Sequence, residues 1–446
     1  MRVLTGGLRC TSLTGRFQSA KRERYARYAK AGRTPEQTNP IDVMSGITSR
    51  RDFLAQAAVT TATGFAGGAI AVAAPAETPK QGGTKTARRE ATIALAPPDK
   101  QPPHLKLPEV VKDKVGYAIV GLGELALEEI LPAFSEAKHS KPVALVSGHA
   151  DKARQVAEAY DISPDAIYSY DTYDKLRDDK RVDVIYIVLP NSLHAEYTIR
   201  GLKAGKHVLC EKPMAATVEE AEQMIAAAKE ARRKLMIGYR LHYEPLNLEV
   251  AKMCKEKKLG TVKTFSSSNC QNVKAPNIRL SGQLAGGPLG DVGIYSINAA
   301  RYVIGEEPVE VTATAFQPED DPRFAEVPES VAFTLHYPSG ALAHCDCSFG
   351  TAVSRRYRVH CTDGLIEMDP AFGYKGLRLF TRDAEDAKVT ELKIPQVNHF
   401  AAEMDHFSQC VRGDKESSTP GELGLADMRI MAAIQEAIHT GRRTKV

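Results

Sequence analysis

From Val115 onward the chain alternates short apolar runs with amphipathic stretches. Val115–Val120, Pro142–Val146, Val182–Leu189, Lys206–Cys210 and Leu235–Ile237 are the runs, and helical spacing recurs between them, through Leu131 and Phe134, up to about Ala204, and over Val218–Arg232. A run that is apolar without alternation suits a strand covered on both faces. Strand–helix repetition therefore predicts a doubly wound parallel sheet, with ligands beyond the carboxyl ends of its strands. After Gly238 the period falls to two: Val262–Asn269, Glu307–Gln317, Ser330–His336, Ala341–Ser348 and Tyr357–Cys361 read as strands separated by glycine or proline turns. That pattern predicts an α+β domain whose large, mostly antiparallel sheet carries helices on one face and leaves the other open. An open face is a natural seat for a second copy, so a homo-oligomer (dimer or tetramer) is expected. Ala426–Thr440, with Met428, Ile430, Met431, Ile434 and Ile438 on one stripe, reads as a core-facing helix. The expected fold class is α/β, with a Rossmann domain over 113–238 and an α+β substrate and oligomerisation domain over 239–446.

The first 112 residues follow another logic. Ser49-Arg50-Arg51-Asp52-Phe53-Leu54 opens a stretch nearly free of charge from Phe53 to Ala76, rich in Ala, Gly and Thr and ending Ala74-Pro75-Ala76. Paired arginines, a weakly apolar run and an A-x-A end read as a twin-arginine leader over 1–76, which implies periplasmic delivery by the twin-arginine machinery. Gln56, several Thr and three Gly make the run a poor membrane span, so no stable membrane anchor is expected. Met44 is a candidate true start. Residues 77–112, rich in Pro, Lys and Gln, read as an extended arm.

Composition removes some function classes. Residues 1–76 hold eleven basic and four acidic side chains, leaving 48 basic and 51 acidic in the remainder, so the body carries no electrostatic footprint for nucleic acid. The eight cysteines have no repeating spacing. Cys345 and Cys347 share one face of a strand, but no further ligands accompany them, so they read as buried thiols and no metal site is expected.

Candidate chemistry begins where the first apolar run meets Gly121-Leu122-Gly123-Glu124-Leu125-Ala126. Gly121 permits the tight turn, Gly123 lets backbone approach a pyrophosphate, and Ala126 lets the helix pack on the strand. Amides at the helix start then face the phosphates. The second run ends in Ser147-Gly148-His149, with Lys152 and Arg154 following, where an NAD site usually places a carboxylate. A hydroxyl and a cation accept a 2′-phosphate, which favours NADP, although Asp151 stands close by; the other reading puts Lys152 and Arg154 on a solvated helix face. Glu211-Lys212-Pro213 ends a further strand, and proline restricts Lys212 to extended geometry as it enters the crevice. Gly238-Tyr239-Arg240-Leu241-His242-Tyr243 brings polar and aromatic groups suited to sugar binding, and the glycine-rich segment 285–290 leads into a helix on which Asp291 and Tyr295 lie four apart, on one face.

Together these segments resemble the Gfo/Idh/MocA oxidoreductases from about residue 113 to the C-terminus. The likeness includes Leu189-Pro-Asn-Ser-Leu-His-Ala-Glu196, Ala204-Gly-Lys-His-Val208 and Lys234-Leu-Met-Ile-Gly-Tyr-Arg240. The resemblance implies a sugar oxidoreductase with tightly bound NADP that oxidises an aldose at C1 to the lactone and reduces a second small-molecule sugar; a sugar dehydrogenase that releases its NADP and a non-catalytic periplasmic sugar-binding or sensory protein are the other readings. It implies Lys212, Asp291 and Tyr295 as catalytic residues, and Lys212, Tyr239, His242, Asp291 and Tyr295 as substrate contacts. It implies cofactor contacts at Gly121, Leu122, Gly123, Ser147, Gly148, Lys152, Pro190, Asn191, His194, Glu211, Lys212 and Arg240. Most relatives carry His where this chain has Tyr295. A tyrosine acting as a base needs a cation beside it, and Lys212 is the candidate.

Overall fold

The computed structural model describes Lys114–Val446, apart from Asp386. The leader, Met44 and the Pro-rich arm lie outside the described residues.

Six strands form the first sheet: β1 (Val115–Val120), β2 (Ser140–Val146), β3 (Ile167–Tyr168), β4 (Val184–Ile187), β5 (His207–Glu211) and β6 (Leu235–Gly238). All pairs are parallel, in the order β3-β2-β1-β4-β5-β6. Every residue of β1 and β4 is buried, which is why their sequences show no alternation. The order reverses between β1 and β4, so the crevice lies at their carboxyl ends. Helix α1 starts with a π turn (Ala126–Ile130) and runs on through Leu131–Ala133; α2 (Ala150–Ala159), α3 (His194–Lys203) and α4 (Val218–Ala231) complete the crossovers. Thr217 caps α4, its hydroxyl accepting from Glu220 N.

A second sheet has nine strands. Its named members are β7 (Val262–Asn272), β8 (Glu310–Phe316), β9 (Ser330–His336), β10 (Leu342–Ser348), β11 (Gly350–Cys361), β12 (Gly364–Met368), β13 (Leu379–Asp383), β14 (Val389–Leu392) and β15 (Thr444–Lys445), ordered β14-β13-β12-β11-β7-β10-β9-β8-β15. All neighbours are antiparallel except β7 and β10. Burial alternates along β9 and β10. Helices α5 (Pro245–Lys255), α6 (Ile294–Ile304) and α8 (Gly421–Thr440) belong to this half, and α6 and α8 lie on the sheet. The opposite face is open and polar, presenting Ser266, Ser268, Thr334, His344, Asp346 and Arg358 along a shallow recess.

The chain then returns to the first sheet. Helix α7 (His399–Gly413) packs near β2, and α8 packs on α4 and β6. Tyr117 Oη, at the centre of β1, meets Met404 O at 2.9 Å and Ser408 Oγ at 3.0 Å. The C-terminal segment thus completes the cover of the Rossmann sheet. Cys345 and Cys347 are buried free thiols. Among the described residues, no helix is long and apolar enough to cross a membrane, and no group of three His, Cys, Asp or Glu could hold a metal ion.

Candidate active site

The glycine turn sits at the reversal of strand order. Gly121 has φ +95°, and a Cβ there would lie 2.2 Å from Val188 O, so neither its conformation nor its surroundings admit a side chain. A Cβ on Gly123 would meet nothing within 4 Å, which leaves an open approach over the start of α1. That opening, at a helix start beside a parallel strand, fits a dinucleotide pyrophosphate. Leu122 between the two glycines is buried.

At the end of β2, the Ser147 hydroxyl accepts from His149 N at 3.1 Å, while Gly148 is exposed. Lys152 reaches back to Leu122 O at 3.3 Å and so spans from α2 to the glycine turn. Burial lowers its pKa, which makes an added anion beside it favourable. Asp151 is engaged with Arg154 rather than turned into the crevice.

Beyond β4, Asn191 donates to Ala285 O at 2.9 Å and ties the cofactor half to the loop before α6. Pro190 precedes it at the edge of the crevice, half-buried. His194 is buried, with its ring nitrogens 2.7 Å from Pro213 O and 2.8 Å from Leu189 O. It pins the loops after β4 and β5 to one another, and burial holds its pKa low.

Lys212 leaves β5 into the crevice and meets the residues expected of it. Its ammonium donates to Asp291 O at 2.7 Å and lies 3.4 Å from Asp291 Oδ1. It also sits 4.5 Å from the centre of the Tyr295 ring, over its face. Asp291 belongs to a π turn (Leu289–Gly293) that opens into α6, with Tyr295 in the first α turn. The widened turn lets Asp291 present both carbonyl and carboxylate to one lysine while Tyr295 stays alongside. Burial alone raises the Asp291 pKa, but the charges of Arg279 and Lys212 outweigh it and hold the group below the usual carboxylate range.

Arg240 also lies over the ring, 5.1 Å from the Tyr295 centroid and 4.6 Å from that of Tyr374. It is buried, donating to Phe372 O at 2.8 Å and to Gly373 O and His399 Nδ1 at 3.0 Å each. Its two neighbours go elsewhere. Tyr239 is 4% exposed and lies in the core. His242 turns along α6 to Asn298 Oδ1 at 2.7 Å and lines a separate recess with Arg301 and Glu306. The structure does not bring Tyr239 or His242 to the Lys212–Tyr295 cluster, because the 3-10 turn Arg240–Tyr243 sends successive side chains in different directions.

Several residues at the site carry no motif in the sequence. Arg279 Nε is 2.7 Å from Asp291 Oδ2, and Gln271 Nε2 is 3.2 Å from the same oxygen. Gln271 lies at the end of β7 and Arg279 in the irregular stretch after it, so neither shows a pattern that a sequence reading could use. Beneath Lys212, Glu211 is joined through Tyr186 to Glu403.

Residues 115–239 match the oxidoreductase family with an NAD-binding Rossmann fold, Gfo/Idh/MocA, and residues 247–367 match its C-terminal domain. The chain belongs to the Gfo/Idh/MocA oxidoreductase family. It is 32% identical to a D-xylose 1-dehydrogenase [NADP(+)] from Haloarcula marismortui, over 73% of this chain and 91% of that protein. Among solved structures it is similar to an aldose–aldose oxidoreductase from Caulobacter crescentus complexed with glycerol, with a TM-score of 0.73, 43% identity, and coverage of 75% of this chain and all of that one. It is also similar to a 3-ketoreductase from Actinomadura kijaniata in complex with NADP and TDP-benzene (TM-score 0.66, 26% identity, 73% and 98% covered). The chain is therefore an enzyme, an oxidoreductase, and the α/β fold expected from its strand pattern is the family's fold.

Proposed function

We propose that this chain is an exported sugar oxidoreductase that oxidises an aldose at C1 to the lactone and reduces a second sugar to the alditol, using one tightly held NADP. The observation that carries the reading is the Lys212 ammonium, held 2.7 Å from Asp291 O and 4.5 Å over the Tyr295 ring at the cofactor crevice. The D-xylose and NADP(+) named for the xylose dehydrogenase, the aldoses named for the aldose–aldose oxidoreductase and the NADP bound to the 3-ketoreductase support sugar and NADP. The nearness of Lys152 to the glycine turn supports a 2′-phosphate.

NADP would supply the hydride acceptor and donor; Gly121, Gly123, Ser147, Gly148, Lys152, Pro190 and Asn191 would hold it. Tyr295 takes the proton of the anomeric hydroxyl as hydride leaves C1. Lys212 spends one N–H on Asp291 O and directs another at that hydroxyl. Asp291, anchored by Arg279 and Gln271, positions both the lysine and the sugar. When the second sugar binds, Tyr295 returns the proton to the carbonyl oxygen being reduced. Arg240 lies against the same ring and adds a second positive charge beside it.

The test is purification without added nucleotide, followed by absorbance in the nicotinamide band and assays of aldose donors against aldose and ketose acceptors. Copurified nucleotide with sugar-to-sugar turnover supports the proposal. A second reading, suggested by the xylose dehydrogenase, is a dehydrogenase that releases NADP each cycle; turnover only with added NADP would establish it. Export is part of the proposal and rests on Arg50-Arg51 and the weakly apolar run after them, a combination that, with Tyr295, is similar to glucose–fructose oxidoreductase. Arginine-to-lysine exchange at both positions should hold the protein in the cytoplasm. A homo-oligomer across the open sheet face is proposed on the same footing, and light scattering of the purified protein measures it.

A further inference from the structure

Two buried carboxyl groups lie directly behind Lys212. Glu211 is 6% exposed and Glu403, from the middle of α7, is 0% exposed. Between them stands Tyr186 of β4, its hydroxyl 2.8 Å from Glu211 Oε1 and 3.4 Å from Glu403 Oε2. A tyrosine has one hydroxyl proton, so it cannot donate to both. The shorter contact takes it, and Glu211 Oε2 receives a second donor, Lys212 N, at 3.3 Å. The Tyr186 oxygen is then left as an acceptor facing Glu403. Glu403 Oε1 has no hydrogen-bond partner in the structure. An unpartnered buried oxygen is far cheaper on a neutral carboxyl than on a carboxylate, and two buried carboxylates on one tyrosine repel. Gly238 makes room for the arrangement, since a Cβ there would lie 3.2 Å from Glu211 Oε1.

We propose that Glu403 keeps its proton and donates it to Tyr186, which donates in turn to Glu211, so that the pair presents one negative charge behind Lys212 and Arg240. Glu211 is a positioning residue: its charge fixes the state and place of the two cations beside Tyr295, and the neutral Glu403 keeps that charge single. Burial pushes the Glu403 pKa well up and the Glu211 carboxylate adds to it, with Arg240 and Tyr186 opposing. Burial also raises Glu211, against Lys212, Tyr186 and Arg240. The other titratable groups that face the pair are Tyr117 and Tyr243 beside Glu403 and Tyr374 and the Cys210 thiol beside Glu211. All four have raised pKa values, so they stay neutral and the charge of the pair is set by the two glutamates.

The infrared spectrum of the full protein tests this. Wild type should show the carbonyl stretch of a protonated carboxyl, absent from Glu403→Gln and unchanged across the pH range of turnover. A missing band overturns the proposal. In the pH profile of kcat/KM, Glu211→Gln should move the limbs to lower pH by about one unit, because it strips Lys212 and Arg240 of their counter-charge. Glu403→Gln should leave the limbs in place; an equal shift from both variants overturns the proposal. Where Glu211→Gln does not fold, Tyr186→Phe replaces it: removing the acceptor must shift the Glu403 band, and an unshifted band refutes the chain. The pH arm rests on the oxidoreductase reading, whereas the infrared arm needs no turnover, so an inactive protein that shows the band would sink that reading and leave this one standing.

Discussion

Tyr295→Phe removes one hydroxyl and leaves the rest of the ring's surroundings in place. The ring is held by cations on its face, Lys212 at 4.5 Å and Arg240 at 5.1 Å, and by Phe372 at 5.9 Å between centroids. Phenylalanine keeps these contacts, and weakening rather than removing the cation–π attraction costs about 1 kcal/mol of the roughly 2 kcal/mol such a contact is worth when desolvated. Folding and nucleotide content should therefore match wild type. The lost hydroxyl is the proposed base, and general acid–base catalysis is worth roughly 10²–10⁴-fold, or about 3–5 kcal/mol of barrier. The assay is the rise in nicotinamide absorbance after an aldose is mixed with nucleotide-loaded protein, which isolates the first half-reaction from product release. The rate should fall at least a hundredfold with the absorbance amplitude of bound nucleotide unchanged. Tyr295→His, which restores a base at that position, should recover part of the loss. A Phe variant whose rate stays within about threefold of wild type would refute the assignment, because no electrostatic adjustment replaces a missing proton acceptor.

Gly121→Ala should lose both stability and copurified nucleotide, since φ +95° and a Cβ 2.2 Å from Val188 O together force the β1–α1 turn to move; Gly205→Ala, with φ +77° but nothing within 4 Å, is the control and should cost only about 1 kcal/mol by thermal melting. Lys152→Ala should weaken NADP far more than NAD in titrations of stripped protein, by about tenfold for a lost charge-assisted contact, and equal weakening of both would show that Lys152 does not read the 2′-phosphate. His399 is held neutral by burial and by Arg240, its pKa pushed down to about 3, and its Nδ1 accepts from Arg240 at 3.0 Å. Below the ordinary histidine value near 6.5 the unfolded chain takes up a proton that the folded chain refuses, so stability declines as pH falls from there toward about 3. His399→Gln should flatten that decline in urea-unfolding midpoints measured across the window, and an unchanged slope would place the proton uptake elsewhere.

The parallel half was legible because its strands are buried on both faces and its glycine turn has one conformational solution. β1 was read to the residue, and α4 within one. The second sheet was legible only where burial alternates. β11 was expected over Tyr357–Cys361 but runs from Gly350, because its first half pairs with β7 while its side chains stay largely exposed, leaving no periodic signal. The short strand β13 and the edge strand β14 were missed for the same reason. Lys212, Asp291 and Tyr295 could be found because each sits in a recognisable turn or helix start. His399 and Glu403 could not, since each owes its role to a partner far along the chain, and a single sequence does not display that pairing; Arg279 pairs with the nearby Asp291, but across an irregular loop whose spacing carries no periodic signal. Tyr239 and His242 show the converse limit: polar and aromatic residues in a row announce a site but not which of them face it.

The bonds that build the site are the bonds that join the two halves. Lys212 of the cofactor half is held by Asp291 of the other, Asn191 by Ala285, and Tyr117 by Met404. Opening the crevice by moving one half from the other would break several of these at once, each buried or partly buried and so costing about 1 kcal/mol or more. A hinge that releases a dinucleotide at every cycle would be better placed across exposed, weakly bonded surface. A crevice cross-tied at its catalytic residues instead favours a cofactor that stays while small sugars exchange through the mouth. That argument supports the two-sugar cycle over the cofactor-releasing dehydrogenase. It predicts that Asn191→Ala, which cuts one tie without touching Lys212 or Tyr295, raises the rate at which bound nucleotide escapes into excess fresh nucleotide. Escape no faster than wild type would remove cofactor retention from the reasons for these contacts.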